Sequence, residues 1–487
     1  MQRLAKILEG IDQVETLGDP GIDIVNLEAD SRRVVPGSLF FALRGTTTDG
    51  HDYIGRAVLS GASAVVCEVM PENRSKNIVY IRVKDSCRAL GLMASAFYGH
   101  PSRLIRLTGI TGTNGKTTTA TLLYRMFRQL GFRPGLISTI NYFIYERKLD
   151  ATHTTPDPVT LNRLLAEMVK EGCDYCFMEV SSHAIVQQRI AGLHFSGGIF
   201  TNISHDHLDY HGTYDEYIKA KKQFFDNLGK DSFALVNKDD RHSGFMVQNT
   251  RSIVRSYALK SKADFTAGIV EKLPEGMLLK INNKEVWTSF IGGFNAYNIL
   301  AVYAAGIMLG APEDDVLRII SSLAPVEGRF ETIRSANDIT AIVDYAHTPD
   351  ALANVIETII QILGSGRHLI TVTGAGGDRD RDKRPVMARI AAEKSHKVII
   401  TSDNPRTEDP DKIISDMLEG VEESLRNHVL CITSRKEAIK TACMLARPGD
   451  IVLVAGKGHE TYQEIMGVKH HFDDREVIRS VLSAITN

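Results

Sequence analysis

The stretch richest in chemistry in this 487-residue sequence is Gly109-Ile110-Thr111-Gly112-Thr113-Asn114-Gly115-Lys116-Thr117-Thr118. It follows an apolar run (Leu104, Ile105, Leu107) and precedes a helix-like pattern beginning at Ala120. A strand, a glycine-rich turn and a helix N-terminus together make a phosphate cradle, because backbone N–H groups point into the turn and the helix dipole favours anions. Lys116 is placed to meet terminal phosphates and Thr117 to hold Mg²⁺. The general phosphate-loop pattern sets a glycine five residues before the Gly of Gly-Lys, where this chain has Ile110. An ordinary glycine-rich strand-to-helix turn is the competing explanation, and the flanking strand and helix patterns argue against it.

A second group is rich in carboxylates and imidazoles. Glu179 closes an apolar run and is followed by Ser181-Ser182-His183, and then by His205-Asp206-His207-Leu208-Asp209-Tyr210-His211. The histidines invite a zinc-hydrolase reading, but the helical two-histidine spacing and a clear third ligand are missing. Glu179 with one histidine, waters and substrate phosphate suits Mg²⁺ better. At least one of His205 and His211 is expected to cap a helix and bond to backbone. On the amphipathic segment 214–225, the lysines around Lys221 read from spacing alone as a solvated face.

Three later strand-like runs each end in a polar loop. Gly374-Ala375-Gly376-Gly377-Asp378-Arg379-Asp380 lacks the third glycine of a dinucleotide fingerprint and reads better as an anion- or carboxylate-binding loop. In Ser402-Asp403-Asn404-Pro405-Arg406 the arginine suits a bidentate grip on a carboxylate, and Asp403 and Asn404 suit an ammonium. Gly456-Lys457-Gly458-His459-Glu460 adds a carboxylate. The set is complementary to an amino acid, and three such loops in one region favour a shared site.

The elements that must carry these groups are those of an α/β protein. The length is consistent with about three domains. Hydrophobic residues are 43% and charged residues 24%, and the formal net charge of −2 gives no global attraction to nucleic acid or anionic membrane. Six cysteines are too few for a disulfide framework; Cys173 and Cys176 read as core thiols. No apolar run has the length of a signal peptide core or a membrane span, so a cytoplasmic protein without membrane insertion is expected. Residues 1–102 read as a small α/β unit, with strands at 37–43 and 62–67 and helices at 54–59 and 86–98. Residues 103–330 open with the phosphate loop and alternate strands (175–180, 198–201) with helices, which argues for a mostly parallel sheet. Shorter, perhaps antiparallel strands fill 265–290, and 295–309 reads as an apolar helix. Residues 331–487 restart the alternation, with 451–455 as a central parallel strand.

Taken together, residues 111–118, 178–183 and 205–213, Gly328-Arg329, and Asp344-Tyr345-Ala346-His347-Thr348-Pro349 resemble, in order, the motifs of the Mur ligase family. The resemblance implies an N-terminal UDP-binding domain, a central ATPase domain and a C-terminal Rossmann-like amino-acid domain. Within the family the chain is most similar to the ligases that add the third peptide residue to UDP-N-acetylmuramoyl-L-alanyl-D-glutamate. Asp403-Asn404-Pro405-Arg406 resembles the motif of the members that add meso-diaminopimelate; lysine-adding relatives lack the arginine. By motif, Gly112, Thr113, Asn114, Gly115, Lys116, Thr117 and Thr118 would serve ATP. Thr117, Glu179, His207 and Lys221 would serve Mg²⁺, with Lys221 acting as a carbamate, and this reverses the solvated-face reading. Asn295, Asn298, Arg329, Asp344 and His347 would lie around the nucleotide. Ser31, Thr46, Thr47, Thr48, Thr154, Thr155, Ser181, Gln187 and Arg189 would hold the UDP-sugar dipeptide. Arg379, Asp403, Asn404, Arg406, Gly456 and Glu460 would hold diaminopimelate. A monomer is implied. The alternatives are a lysine-adding ligase, a folylpolyglutamate-synthetase-like ligase, a regulatory P-loop ATPase and a metal hydrolase.

Overall fold

The computed structural model describes residues 1–45, 48–273 and 275–486. Three sheets succeed one another along the chain. The first has five strands in the order Gln13–Leu17, Val79–Val83, Ala62–Cys67, Ser38–Phe41, Asn26–Glu28, parallel except for its first pair. The helix Ser86–Phe97 covers it, capped by the Asp85 side chain, which accepts from the Arg88 N–H.

The central sheet has eleven strands. Its parallel middle runs Pro134–Ile137, Tyr175–Glu179, Arg106–Thr111, Gly197–Phe200, Phe233–Asn237, Ile253–Ala258 and Phe265–Leu273. Antiparallel strands finish both edges: Asn141–Ile144 with Arg147–Asp150 on one side, Gly276–Ile281 with Lys284–Thr288 on the other. The antiparallel reading of 265–290 thus holds, while the Asn141–Asp150 hairpin was not anticipated. The strand before the phosphate loop starts at Arg106, later than the apolar run suggested, and Leu104 is largely exposed. Helices Lys116–Gln129 and Gly293–Met308 pack on the sheet through Leu122, Leu123, Met126, Phe127, Ile299 and Leu300, all fully buried. Cys173 and Cys176 are buried in the core on the sheet's other face, and burial raises both thiol pKa values.

The last sheet runs Glu331–Arg334, Thr340–Asp344, Ile451–Ala455, Leu369–Thr373, Lys397–Ile400, Val429–Cys431. It is parallel apart from Glu331–Arg334. Ile451–Ala455 lies inside it with every residue buried, as its unbroken apolar run requires. In open parallel sheets ligands gather beyond the carboxyl ends of the strands. In the central sheet Arg106–Thr111 lies between Tyr175–Glu179 and Gly197–Phe200, so the phosphate loop, Glu179 and Asn202 emerge side by side. In the last sheet the loops after Thr340–Asp344, Ile451–Ala455, Leu369–Thr373 and Lys397–Ile400 emerge together in the same way. Among the described residues, no helix is long and apolar enough to cross a membrane.

Candidate active site

The phosphate loop is shaped by its glycines, each for a separate reason. Gly109 lies within the strand, where a Cβ would press on Phe224, Phe195 and Val180; it is a packing residue and no part of the turn. That explains the spacing mismatch noted in the sequence. Gly115 is left-handed at φ +85, immediately before the helix, and no side chain caps that helix end. The first-turn N–H groups are therefore available to an anion. Asn202 pins the other side of the loop: its carbonyl accepts from Thr113 N (2.8 Å) and its side-chain oxygen from Asn114 N (3.0 Å).

A cavity of about 540 Å³ opens over this loop. Residues 113–118 line it, together with Glu179, His207 and Lys221. Thr154 and Ser181 lie on its wall, as do Asn295, Asn298, Arg329, Asp344 and His347. Lys116 Nζ rests on the Gly112 and Thr113 carbonyls at 2.9 and 2.8 Å. Glu179 is fully buried and accepts from Thr139 N (2.7 Å) and Thr139 Oγ1 (3.2 Å). Arg329 Nη2 donates to Thr117 Oγ1 (3.0 Å), and its guanidinium lies 4.5 Å from the centre of the Tyr345 ring. Asn298 Nδ2 donates to Asn295 Oδ1 (3.1 Å), which turns the Asn298 carbonyl oxygen toward Gly115.

Lys221 corrects the reading from spacing. It is 1% exposed, and Nζ donates to the Gly112 carbonyl at 2.9 Å over the Tyr217 ring. Lys219, by contrast, is exposed and paired with Glu216. Burial drives the Lys221 pKa far below the usual lysine value; Lys116 adds to the shift and Asp206 opposes it. Burial also lowers the His207 pKa, opposed by Asp206. Burial pushes the Asp206 pKa up, but the charges of His207, His347, Lys383 and Lys116 outweigh it and leave the pKa lowered.

The other histidines do not cap through backbone as expected. His205 stacks on Tyr214 at 4.4 Å, and His211 Nε2 is 2.9 Å from Ser182 Oγ. Among the described residues, no three His, Cys, Asp or Glu side chains gather as a metal site. A cation here would be held by few side chains plus ligand oxygens, which suits Mg²⁺.

Thr155, Gln187 and Arg189 form a chain behind the Thr154–Ser181 wall. Thr155 Oγ1 donates to the Glu179 carbonyl (2.7 Å), Arg189 Nη1 to the Thr155 carbonyl (2.7 Å) and Arg189 Nη2 to Gln187 Oε1 (2.6 Å). Ser31 and Thr48 lie on the first sheet's unit, outside the cavity: Ser31 is buried and Thr48 is exposed. Thr46 and Thr47 fall outside the described residues.

The C-terminal loops form a second cluster. Asn404 Nδ2 donates to Glu460 Oε2 (2.8 Å), and fully buried Lys457 donates to Asn404 Oδ1 (2.9 Å) and Glu460 Oε2 (3.0 Å). Asn404 Oδ1 also accepts from Glu464 N (2.9 Å). With both lone pairs engaged, Asn404 is not the ammonium acceptor expected from sequence; Asp403 and Glu460 remain for that task. A Cβ at Gly456 would strike Asp403 Oδ2, so a side chain there would press on that carboxylate. Arg406 Nη1 donates to the Gly377 carbonyl (2.6 Å). Arg379 is exposed at the edge of the cluster. Tyr345 joins the two sites: its ring lies under Arg329 and its OH reaches toward Glu460 Oε1 at 3.5 Å. Sequence reasoning gave no role to Asn202, Tyr345 or Lys457. Tyr345 and Lys457 stand inside quoted motifs, yet the Tyr345 partners Arg329 and Glu460 are 16 and 115 residues away, and Lys457 reaches Asn404 53 residues away as well as nearby Glu460.

Known families match along the length of the chain: residues 23–98 match the Mur ligase family catalytic domain, 110–306 the Mur ligase middle domain, and 328–458 the Mur ligase glutamate ligase domain. The chain belongs to the Mur ligase family. Among Mur ligases it is 55% identical to the UDP-N-acetylmuramoyl-L-alanyl-D-glutamate–2,6-diaminopimelate ligase of Bacteroides thetaiotaomicron, over 99% of this chain and 100% of that one. It is 54% identical to the ligase of the same name from Phocaeicola vulgatus, over 99% of both chains. A solved structure of a ligase of this name is 31% identical and superposes with a TM-score of 0.70 over 100% of this chain and 99% of that one. The three-domain α/β architecture is that of the Mur ligases.

Proposed function

We infer that the protein is an ATP-dependent ligase of peptidoglycan precursor synthesis. It joins the γ-carboxylate of D-glutamate in UDP-N-acetylmuramoyl-L-alanyl-D-glutamate to meso-2,6-diaminopimelate. The observation that carries the reading is the junction of two sites. A cavity with a phosphate loop, a buried carboxylate and desolvated lysines meets, through Tyr345, a cluster complementary to an amino acid that also bears Arg406. We assign residues 1–102 to the UDP-substrate domain, 103–330 to the ATP domain and 331–487 to the amino-acid domain, the breaks falling between the sheets. We further take the protein to act as a cytoplasmic monomer, which suits its six free cysteines.

A carboxylate is a poor electrophile, so the D-glutamate γ-carboxylate first attacks the γ-phosphorus of ATP and ADP leaves. Lys116 and the first-turn N–H groups of Lys116–Gln129 neutralise charge on the transferring phosphoryl group. The amine of diaminopimelate, after giving up its ammonium proton to a base or water, attacks the acyl phosphate. The tetrahedral intermediate then expels phosphate, which carries off the second amine proton, to leave the amide. Thr117, Glu179, His207 and a carbamylated Lys221 would hold Mg²⁺, which supplies further charge neutralisation at the phosphates. An ammonium at Lys221 is unfit for that task, and its depressed pKa is what makes the modification accessible: the neutral amine adds to CO₂, releases a proton and becomes an anionic carbamate. Asn295, Asn298, Arg329, Asp344 and His347 take the nucleotide, Thr154, Thr155, Ser181, Gln187 and Arg189 the dipeptide end, and Ser31 and Thr48 the UDP end. Arg379, Asp403, Gly456 and Glu460 surround the amino acid, and Arg406 takes its distal carboxylate.

Lysine has hydrogen where diaminopimelate carries that carboxylate, so it leaves Arg406 without its partner; discrimination of this kind reaches several orders of magnitude. ADP release measured with each amine tests the reading. Turnover is expected to require the UDP-dipeptide and diaminopimelate together. Equal turnover with lysine would remove the claim of specificity for diaminopimelate, and hydrolysis independent of any amine would make the protein a regulatory ATPase.

A further inference from the structure

Arg406 does not set its own position. It lies at φ +53, a left-handed conformation uncommon for a residue with a side chain, and it is held from outside its loop. Tyr462–Ile465 and Val468–His471 form an antiparallel hairpin. Its two-residue turn, Met466-Gly467, has positive φ at both positions, as a type I′ turn requires. Met466 and Val468 are exposed, so core packing does not place this hairpin.

The 402–406 loop does. Gln463 Nε2 donates to Ser402 Oγ (3.2 Å) and to the Asp403 carbonyl (2.6 Å). Arg406 N donates to the Glu464 carbonyl (3.0 Å), and Met466 N to the Arg406 carbonyl (2.6 Å). The strained backbone of Arg406 is thereby clamped on both sides, the way such conformations persist at functional sites. The side chain is clamped as well. Arg406 Nη1 is spent on the Gly377 carbonyl, and Nε faces Glu464 Oε2 at 3.6 Å. Among the described residues, the Nη2 edge of the guanidinium is what remains without a partner.

We propose that Glu464 is a specificity-determining positioning residue, which with the Gly377 carbonyl aims the free edge of Arg406 at the distal carboxylate of the amine substrate. Glu464 acts through Arg406 and not on the substrate, since two carboxylates in contact would repel. The proposal rests on the ligase reading above. Three functional segments far apart in sequence thus converge on one guanidinium: the 374–377 loop, the 402–406 loop and the hairpin.

The test compares Glu464→Ala and Glu464→Gln with the wild type, following ADP release against diaminopimelate, lysine and ATP, with melting temperature as a control. For Glu464→Ala, KM for diaminopimelate is expected to rise about tenfold, with preference over lysine falling by a similar factor, while kcat and KM for ATP stay near wild type. Glu464→Gln keeps the length and a polar oxygen beside Nε but loses the charge of the 3.6 Å ion pair, so it is expected to fall between the alanine variant and the wild type. An alanine variant with unchanged KM and preference overturns the proposal. So does tighter diaminopimelate binding in both variants, which would make Glu464 a mere competitor. A uniform loss of all parameters with a lowered melting temperature overturns it too, leaving a structural role only. Failure of the wild type to use diaminopimelate at all is a separate result, and it removes the ligase reading itself.

Discussion

The phosphate-loop site and the amino-acid cluster are both built at the carboxyl ends of parallel strands, but they hold charge in opposite ways. Around the phosphate loop, buried charges are underpaired. Lys116 and Lys221 rest only on carbonyls, Asp344 accepts from the Phe330 N–H, and Arg329 Nε is buried without a hydrogen-bond partner among the described residues. In the amino-acid cluster the buried cations are instead paired with carboxylates, although Arg384 Nε and Arg435 Nη1, like Arg329 Nε, are buried without a hydrogen-bond partner among the described residues. Lys457 sits between Asn404 and Glu460, Arg435 is paired with Asp474 with both side chains fully buried, and Arg384 bridges Glu408 and Asp416. Underpaired charge is costly in the folded protein and reactive, so it suits a place where phosphate and Mg²⁺ are to bind. Charge paired with carboxylates is rigid, so it suits a place where a fixed shape must tell one amino acid from another.

The largest effect expected from this contrast is at Lys221. Lys221→Arg keeps a cation but cannot form the carbamate, and both it and Lys221→Ala should lower kcat for ADP release by roughly 10²–10³-fold, the scale of losing one charge-stabilising group. Near-normal activity in the arginine variant would show that the buried position needs only a positive charge.

At the amino-acid cluster, a smaller and more selective effect is expected. Lys457→Met removes the donor that fixes Asn404 and leaves half-buried Glu460 with one partner fewer. KM for the amine should rise by about tenfold, as for a buried charged hydrogen bond, with KM for ATP unchanged. Equal changes in both KM values would mean that the two regions are not separable.

The smallest effect concerns stability. Burial raises the Asp344 pKa from 3.8 to about 6, with Arg329 and the Phe330 and Ala346 N–H groups opposing. Between those values the folded chain binds more protons than the unfolded chain, so stability falls as pH rises through the window, and the whole cost is present above pH 6. Asp344→Asn keeps the acceptor for Phe330 N–H and should be more stable than wild type at pH 7 by on the order of 1–3 kcal/mol, with the gain vanishing below about pH 4. Chemical denaturation at pH 4 and pH 7 measures it, and a gain equal at both pH values would contradict the burial explanation.

What could be read in the sequence divides along the same line. The phosphate loop, the strands 175–180 and 198–201, and the central strand 451–455 are local patterns, and the chain forms them where the patterns lie. The family motifs also pointed to Glu179, His207 and Lys221, which line one cavity. Spacing alone misread Lys221, because a lysine on an amphipathic helix carries no mark of which face the tertiary fold will bury. Asn404 was misassigned for the same reason: its carbonyl oxygen is taken by Lys457 and by Glu464 N, 53 and 60 residues away. Apart from the local Lys457–Glu460 pair, such networks are made of long-range partners, so they are the part of a site that sequence patterns show least.

The separation of roles is tested most directly by trapping the acyl phosphate. Enzyme, ATP and UDP-dipeptide are mixed without amine, and the activated carboxyl is captured with hydroxylamine. Arg406→Ala should give as much trapped product as wild type, because its lesion lies after phosphoryl transfer, while Lys221→Ala should give almost none. Loss of trapped product in Arg406→Ala to the level of Lys221→Ala would contradict the division of the two sites.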